Sequence, residues 1–548
     1  MLDDIKIGRR TFLKGTAATG ALAMLAGCGM QNASAENTPS MFITNPVSID
    51  PYNCQENQGT QVALQLFSTL TQYNYDTNQL EGLAATSWDV SPDAKTFTFH
   101  LVEGATFHNG EPVNSAAFKR GWERTVNPKT NPDSPSVVSY HLSMVEGYDA
   151  LINGDATELS GVTCPDDYTL VVNLNQAYAD FPYVTTHVAT APIPEVALND
   201  FQAFFLAPVG NGPFQMDGKW VDGQYIRLKR YDNYFGEKAK INGINFVIQK
   251  DMETAYREFQ AGNLDVCNIP TAQITSAEQT YGVSETGYTI TPHHQVLLGD
   301  QISSYFIVVN NKDEVLKDPN LRKAISLAIN RESICDNLFQ GTRTPADGVV
   351  PPSIDGYQAG TWPLAHYDKA AAIKILDQYY PADANGDRDV SITLSFNGDG
   401  DHKSIMEHVQ ADLKEVGINA TLDQTEWAAL LNRYQSGDYQ LGRMGWNSDY
   451  PILDNSLYPL FYTGNGDNQS GFSDPVIDAK LNAARSIVDP DKRIAALQEI
   501  NRQIGAQMPV IPLFYYKLSM VGSDRIEYGY VTPRGDVEFD GFEMVTSE

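Results

Sequence analysis

The chain has 548 residues, of which 42% are hydrophobic and 19% charged, and a formal net charge of −30. That length buries sizeable cores and divides into two or three domains. Its 68 acidic residues outnumber 38 basic ones, and beyond the first 28 residues no Lys/Arg cluster remains that could track phosphates, which argues against nucleic acid and mildly favours cationic or zwitterionic ligands.

Residues 1–27 read as a signal peptide. Lys6, Arg9, Arg10 and Lys14 form a basic region, and residues 15–27 an apolar stretch of 13 residues, short of the roughly 20 needed to span a bilayer. Arg9-Arg10-Thr11-Phe12-Leu13-Lys14 resembles the twin-arginine motif, which exports folded proteins; general secretory export is the alternative. Leu25-Ala26-Gly27-Cys28 resembles a bacterial lipobox. That implies lipidation of Cys28 and anchoring at the outer face of the cytoplasmic membrane, in the cell envelope. Residues 28–40 then form a lipidated N-terminus and a polar, flexible tether. The first 28 residues carry four basic and two acidic side chains, so the remainder is two units more acidic than the whole.

Further along, strand-like and helix-like segments alternate, without internal repeats. Residues 88–112, WDVSPDAKTFTFHLVEGATFHNGEP, set a Ser91-Pro92-Asp93 turn before alternating Phe97, Phe99 and Leu101, a half-buried strand. Phe107 to Gly110 is expected to be a second strand running into an Asn-Gly turn. Residues 186–195 and 510–521 read as strands in proline-punctuated loops. Asp318-Pro319 caps a helix over residues 321–339, with Leu321, Ala324, Ile325 and Ala328 on one face. Asp489-Pro490 caps another over residues 491–506, with Ile494, Leu497, Ile500 and Ile504 as its stripe. Both stripes read as core. This mixture predicts an α/β protein built of lobes.

Chemistry-bearing motifs are few. There is no G-x-S-x-G, H-E-x-x-H or Walker A, so no enzyme, catalytic residue or cofactor is expected. Cys54, Cys164, Cys267 and Cys335 lie far apart with no C-x-x-C, and their disulfide state is open. Residues 383–389, DANGDRD, lack the turn Gly and closing Glu of an EF-hand and read as a polar turn between a helix and a strand. His293-His294 reads as an adjacent pair on an extended strand, pointing apart, so no metal site is expected.

In order and spacing, residues 88–112 resemble the signature of the family 5 extracellular solute-binding proteins of bacterial ABC importers. That family includes oligopeptide- and dipeptide-binding lipoproteins. SIDPYNCQENQGTQVALQLFSTL, PVGNGPFQM, REFQAGNLDV, YFIVVNN with LRKAISLAINR, and VIPLFYYKLSMV fit the family in the same order, so the resemblance covers essentially the whole mature chain. The similarity is greatest to oligopeptide-binding members. It implies a two-lobed, hinge-closing, periplasmic-binding-protein-like fold with an extra inserted lobe, three lobes in all. Carried onto this chain, lobe I is 41–67 with 187–300 and 516–548, inserted lobe II is 68–186, and lobe III is 301–515. It also implies a monomer that captures a peptide in the interlobe cleft and delivers it to the transmembrane subunits of a permease. A non-peptide solute in the same fold and role (an oligosaccharide, a nickel chelate or haem) is the alternative.

The resemblance assigns roles to particular residues. In oligopeptide-binding relatives a G-W-x-x-D-Y segment sits in the cleft, and its Asp accepts the peptide α-ammonium. Here that segment is GWNSDYP, residues 445–451, which implies this role for Asp449 and makes Trp446 and Tyr450 walls of the first side-chain pocket. Trp427, in Thr425-Glu426-Trp427, becomes a second wall. Arg443 matches an Arg that meets a short peptide's carboxylate, and Tyr305 and Asn57 fall near positions that touch ligand backbone. On the residues alone, Asp449 before Tyr-Pro reads as a turn residue, Trp427 equally as core, and Arg443 as partner to a nearby acid. Relatives commonly continue D-Y-x-D-P. Here the second acid is displaced to Asp454, which bears on ligand length and specificity.

Overall fold

The computed structural model describes residues 37–398 and 400–545. The export signal, Cys28 and the tether before residue 37 lie outside the described residues.

Two large sheets carry the architecture. The first has the strand order Val296–Leu297, Met520–Gly522, Val266–Asn268, Ser40–Ile43, Gly243–Ile248, Tyr225–Arg230, Phe214–Met216. Ser40–Ile43 pairs in parallel on both sides and is buried throughout, as its apolar run requires. The second has the order Arg343–Pro345, Val510–Lys517, Asp300–Val309, Leu441–Asn447, Ser391–Asn397, Asn419–Thr425. Its centre, Asp300–Val309, is antiparallel to both neighbours and buried from Ser304 onward. The chain passes between these sheets after Leu297 and again after Lys517. A separate antiparallel sheet is formed by Ala85–Val90, Thr96–Leu101, Thr169–Asn173 and Val162–Asp166.

Local signals explain much of this. Trp88 pairs with Phe99 and Val90 with Phe97 across the expected hairpin, with Phe97 and Phe99 fully buried. Asp318 caps Pro319–Ala328, whose predicted stripe is buried, and Asp489 caps Pro490–Gly505, where Ile494 is only half-buried. Residues 383–389 form the expected polar turn: Asp383 Oδ1 accepts the amides of Asn385 and Asp387 at 2.8 and 3.0 Å. The four described cysteines are free thiols.

Four expectations need correction. Phe107 to Gly110 is a turn closed by a Thr106–Pro112 bridge, not a strand. The backbone of His108 bonds sideways to Gly210, which leaves no ladder to extend. Residues 186–195 hold a 3-10 turn, Val188–Thr190, because Pro192 and Pro194 have no N–H to give a strand neighbour. The helix expected to reach residue 339 stops at Ala328 and resumes as Arg331–Ser333 and a π-helical turn, Ile334–Leu338. Buried Arg331 takes the carbonyls of Ser326, Ile329 and Pro512, and burial pushes its guanidinium down to about 10. His293-His294 lies in a tight turn, with His293 at φ +68°, rather than on an extended strand.

The PVGNGPF run has a structural reason that bears on function. A Cβ on Gly210 would lie 1.8 Å from the carbonyl oxygen of Leu66, so only glycine permits this approach. Fully buried Asn211 accepts from the Ser68 amide and donates to the Ser68 carbonyl, both at 2.9 Å. Together they fix the chain leaving helix Asn57–Leu66, and Ser68 and Thr69 line the cavity described next.

Candidate functional site: an acidic cavity

A cavity of about 340 Å³ is walled by four segments distant in sequence. The end of helix Asn57–Leu66 and the strand Thr71–Asn74 with Tyr75 and Asp76 form one side. The turn Asp449-Tyr450-Pro451 and the tail from Tyr530 to Asp540 close the other. Five lining side chains are carboxylates: Asp76, Asp449, Asp536, Glu538 and Asp540. Among the described residues, Arg534 is the one cationic side chain that lines it.

Arg534 is already committed. Its Nε pairs with Asp536 at 2.9 Å, and its Nη1 donates to the main-chain oxygen of Asp449 at 3.4 Å. Burial works against its charge, yet Asp536, Tyr75 and Asp449 hold its pKa above the ordinary value. Glu538 and Asp540 are open to cavity water but ringed by protein. Burial, reinforced by Asp540, Asp536 and Asp76, pushes the Glu538 carboxyl up to about 8, and burial also raises Asp540.

Asp449 sits on a fixed turn. Its amide donates to Asn455 Oδ1 at 2.9 Å, while neighbours Ser448 and Tyr450 are buried. Its half-buried carboxylate has no hydrogen-bond or ion-pair partner among the described residues. Tyr450, 7% exposed, lines the cavity and packs with the core of the four-stranded sheet.

The remaining expected site residues lie elsewhere. Trp446 is half-buried against the core of the second sheet and does not line this cavity; its indole N–H lacks a partner among the described residues. Arg443 lies three positions earlier on the same strand, hence on the opposite face. Its guanidinium stacks 4.2 Å from the Trp427 ring centroid and donates to Asn397, so these two are brought together. Tyr305 is a core residue, 1% exposed, stacked on Phe514 at 4.7 Å and hydrogen-bonded to His402. Asn57 is exposed and lines a smaller cavity of about 180 Å³, which shares Arg534 and Asp536 with the first.

Sequence reasoning missed both acidic flanks. Asp536-Val537-Glu538-Phe539-Asp540 alternates acid with apolar residues, and Val537 and Phe539 are fully buried. That period-two pattern was a readable sign of an extended segment with one acidic face. Tyr73-Asn74-Tyr75-Asp76 carries a similar alternation.

Known proteins share this architecture. A family model described as bacterial extracellular solute-binding proteins, family 5 Middle, matches residues 79–468, and a twin-arginine translocation signal model matches residues 6–26. The oligopeptide-binding protein OppA of Bacillus subtilis (strain 168) is 28% identical over 530 residues, 94% of each chain. The solved MppA periplasmic murein tripeptide binding protein, in its unliganded open form, superposes with TM-score 0.80 at 21% identity, over 94% of this chain and 98% of its own. NikA from Brucella suis in complex with Fe(III)-EDTA gives 0.75 at 20% identity, over 92% and 100%. The α/β binding-protein fold expected from the sequence is the one these structures share.

Proposed function

This chain belongs to the bacterial extracellular solute-binding proteins of family 5, and from that premise we propose that it captures short peptides for an ABC importer, with Asp449 receiving the peptide α-ammonium. The carrying observation is the Asp449 carboxylate, held on a rigid turn at the cavity wall without a partner among the described residues. A carboxylate left unpaired in a closing cleft is costly, and a free amine supplies the missing charge. Trp427 with Arg443 forms a separate platform where a peptide's carboxylate end meets a cation. We extend the proposal to the lobes: 41–67, 187–300 and 516–548 as one, 68–186 as the insert, and 301–515 as the other, closing over ligand as a monomer and docking on the permease.

The alternative, a non-peptide solute, fares unevenly against this cavity. An anionic solute such as a metal–polycarboxylate chelate or haem would meet five carboxylates and one committed guanidinium. A neutral oligosaccharide would leave Asp449 uncompensated.

The test uses purified protein, unfolded and refolded to strip carried-over ligand, and compares tri- to pentapeptides with their N-acetylated forms. A ligand at about 100 times its Kd stabilises the folded state by about 2.7 kcal/mol, which a melting curve resolves. Free peptides should raise the Tm and acetylated ones should not. Equal shifts would remove the ammonium role; no shift with peptides beside a clear one with a sugar or chelate would remove the peptide assignment.

The same proposal includes a lipid anchor on Cys28. Cys28→Ser is expected to move the protein from the membrane fraction to the medium or periplasm. Unchanged membrane association would show that something else holds it there.

A further inference from the structure

The tail from Asp536 to Asp540 presents three acids to the cavity at alternate positions, with Val537 and Phe539 buried between them. From across the cavity the hairpin adds Asp76. Asp449 needs one positive charge on the peptide reading, which leaves Asp76, Glu538 and Asp540 without a cation, since Arg534 is spent on Asp536. The Glu538 carboxyl has no hydrogen-bond partner among the described residues. Tyr450 adds an independent polar group that an incoming ligand could engage. It is more than nine-tenths buried, lines the cavity, and its hydroxyl has no hydrogen-bond partner among the described residues. The space therefore holds several carboxyl groups and, among the described residues, one cation that is already paired.

An apolar ligand side chain entering it would strip water from carboxylates and return nothing. A cationic one would return both charge and donors, and the rings of Tyr73, Tyr75 and Tyr530 offer it further favourable faces. We infer that this protein selects peptides carrying a second positive charge, a Lys or Arg side chain beside the α-ammonium, and that Glu538 and Asp540 determine that preference. The inference rests on the peptide reading above. Burial, reinforced by Asp540, Asp536 and Asp76, pushes the Glu538 carboxyl up, and a bound cation would oppose that push.

The experiment measures Kd by calorimetry on the purified, ligand-stripped protein. The probes are Lys-Ala-Ala, Ala-Lys-Ala and Ala-Ala-Lys, each beside the peptide with norleucine in place of Lys, which keeps an apolar stem of similar length and drops the ammonium. At low salt at least one Lys peptide should bind about tenfold tighter than its norleucine counterpart, as for one charge pair in a partly desolvated site. That ratio should fall toward one in Glu538→Gln/Asp540→Asn. It should also shrink in the unaltered protein at about 0.5 M NaCl, which decides the matter if the double variant does not fold. Norleucine peptides that bind as well as all three Lys peptides, or a ratio indifferent to salt, would overturn the inference and leave the peptide reading standing. If none of the six peptides binds, the peptide reading falls and this inference falls with it.

Discussion

Asp449→Asn is expected to weaken binding of a free tripeptide by about 100-fold, close to 3 kcal/mol, the scale of losing one partner of a desolvated charge pair. The substitution keeps size and shape. It replaces a charge that attracts an ammonium with an amide that offers it one acceptor and a repelling NH2. The turn does not depend on the carboxylate: it is held by the bond from the Asp449 amide to Asn455 and by buried Ser448 and Tyr450, and Arg534, which the carboxylate also attracts, keeps its pairing with Asp536. The Tm of the unliganded variant should therefore stay close to that of the parent, within the ~0.5 kcal/mol usual for a surface substitution. N-acetylated peptides, which lack the charge, should bind both proteins equally weakly. A variant that holds free tripeptide within threefold of the parent would make Asp449 the turn residue that its place before Tyr-Pro first suggests.

How much of this was legible depended on whether the signal was local. The Trp88 hairpin was, because Ser91 and Asp93 close their turn within five residues and Phe97 and Phe99 alternate beside it. The caps at Asp318 and Asp489 were, because each bonds an amide two or three residues away. The Phe107 turn was not, since the backbone it bonds, at Gly210, lies about a hundred residues on. The site divides the same way. Asp449 was legible only through resemblance to a family; residue type and spacing alone gave a turn. The alternation in residues 536–540 was visible, but nothing in the sequence says that it faces Tyr75 and Asp76, some 460 positions earlier. That Trp446 lies away from this cavity was not legible, because spacing from Asp449 says nothing of which strand face it takes.

The opening segment SIDPYN carries the other large expected effect, on stability. Asp50, fully buried, caps the short turn Pro51–Asn53 through the Tyr52 amide at 3.0 Å. Its two oxygens also accept from Arg124 Nη1 and Nη2 at 2.8 and 2.6 Å. Arg124, from helix Ser115–Val126, is 4% exposed and lies 5.0–5.3 Å from the ring centroids of Tyr52, Phe201 and Phe204. One guanidinium thus joins three segments just ahead of the helix that leads into the acidic cavity. Arg124→Ala would leave Asp50 charged, dry and unpaired, and should cost about 3–5 kcal/mol in urea unfolding. Arg124→Lys keeps the charge but loses the two-pronged contact and the flat stacking surface, so it should fall between parent and Ala variant. The discriminating variant is Asp50→Leu/Arg124→Met. If the damage comes from the stranded carboxylate, removing both charges should restore much of what Arg124→Ala loses, even though two polar contacts are gone. A double variant as unstable as the single one would instead point to the lost ring contacts as the cost of Arg124→Ala.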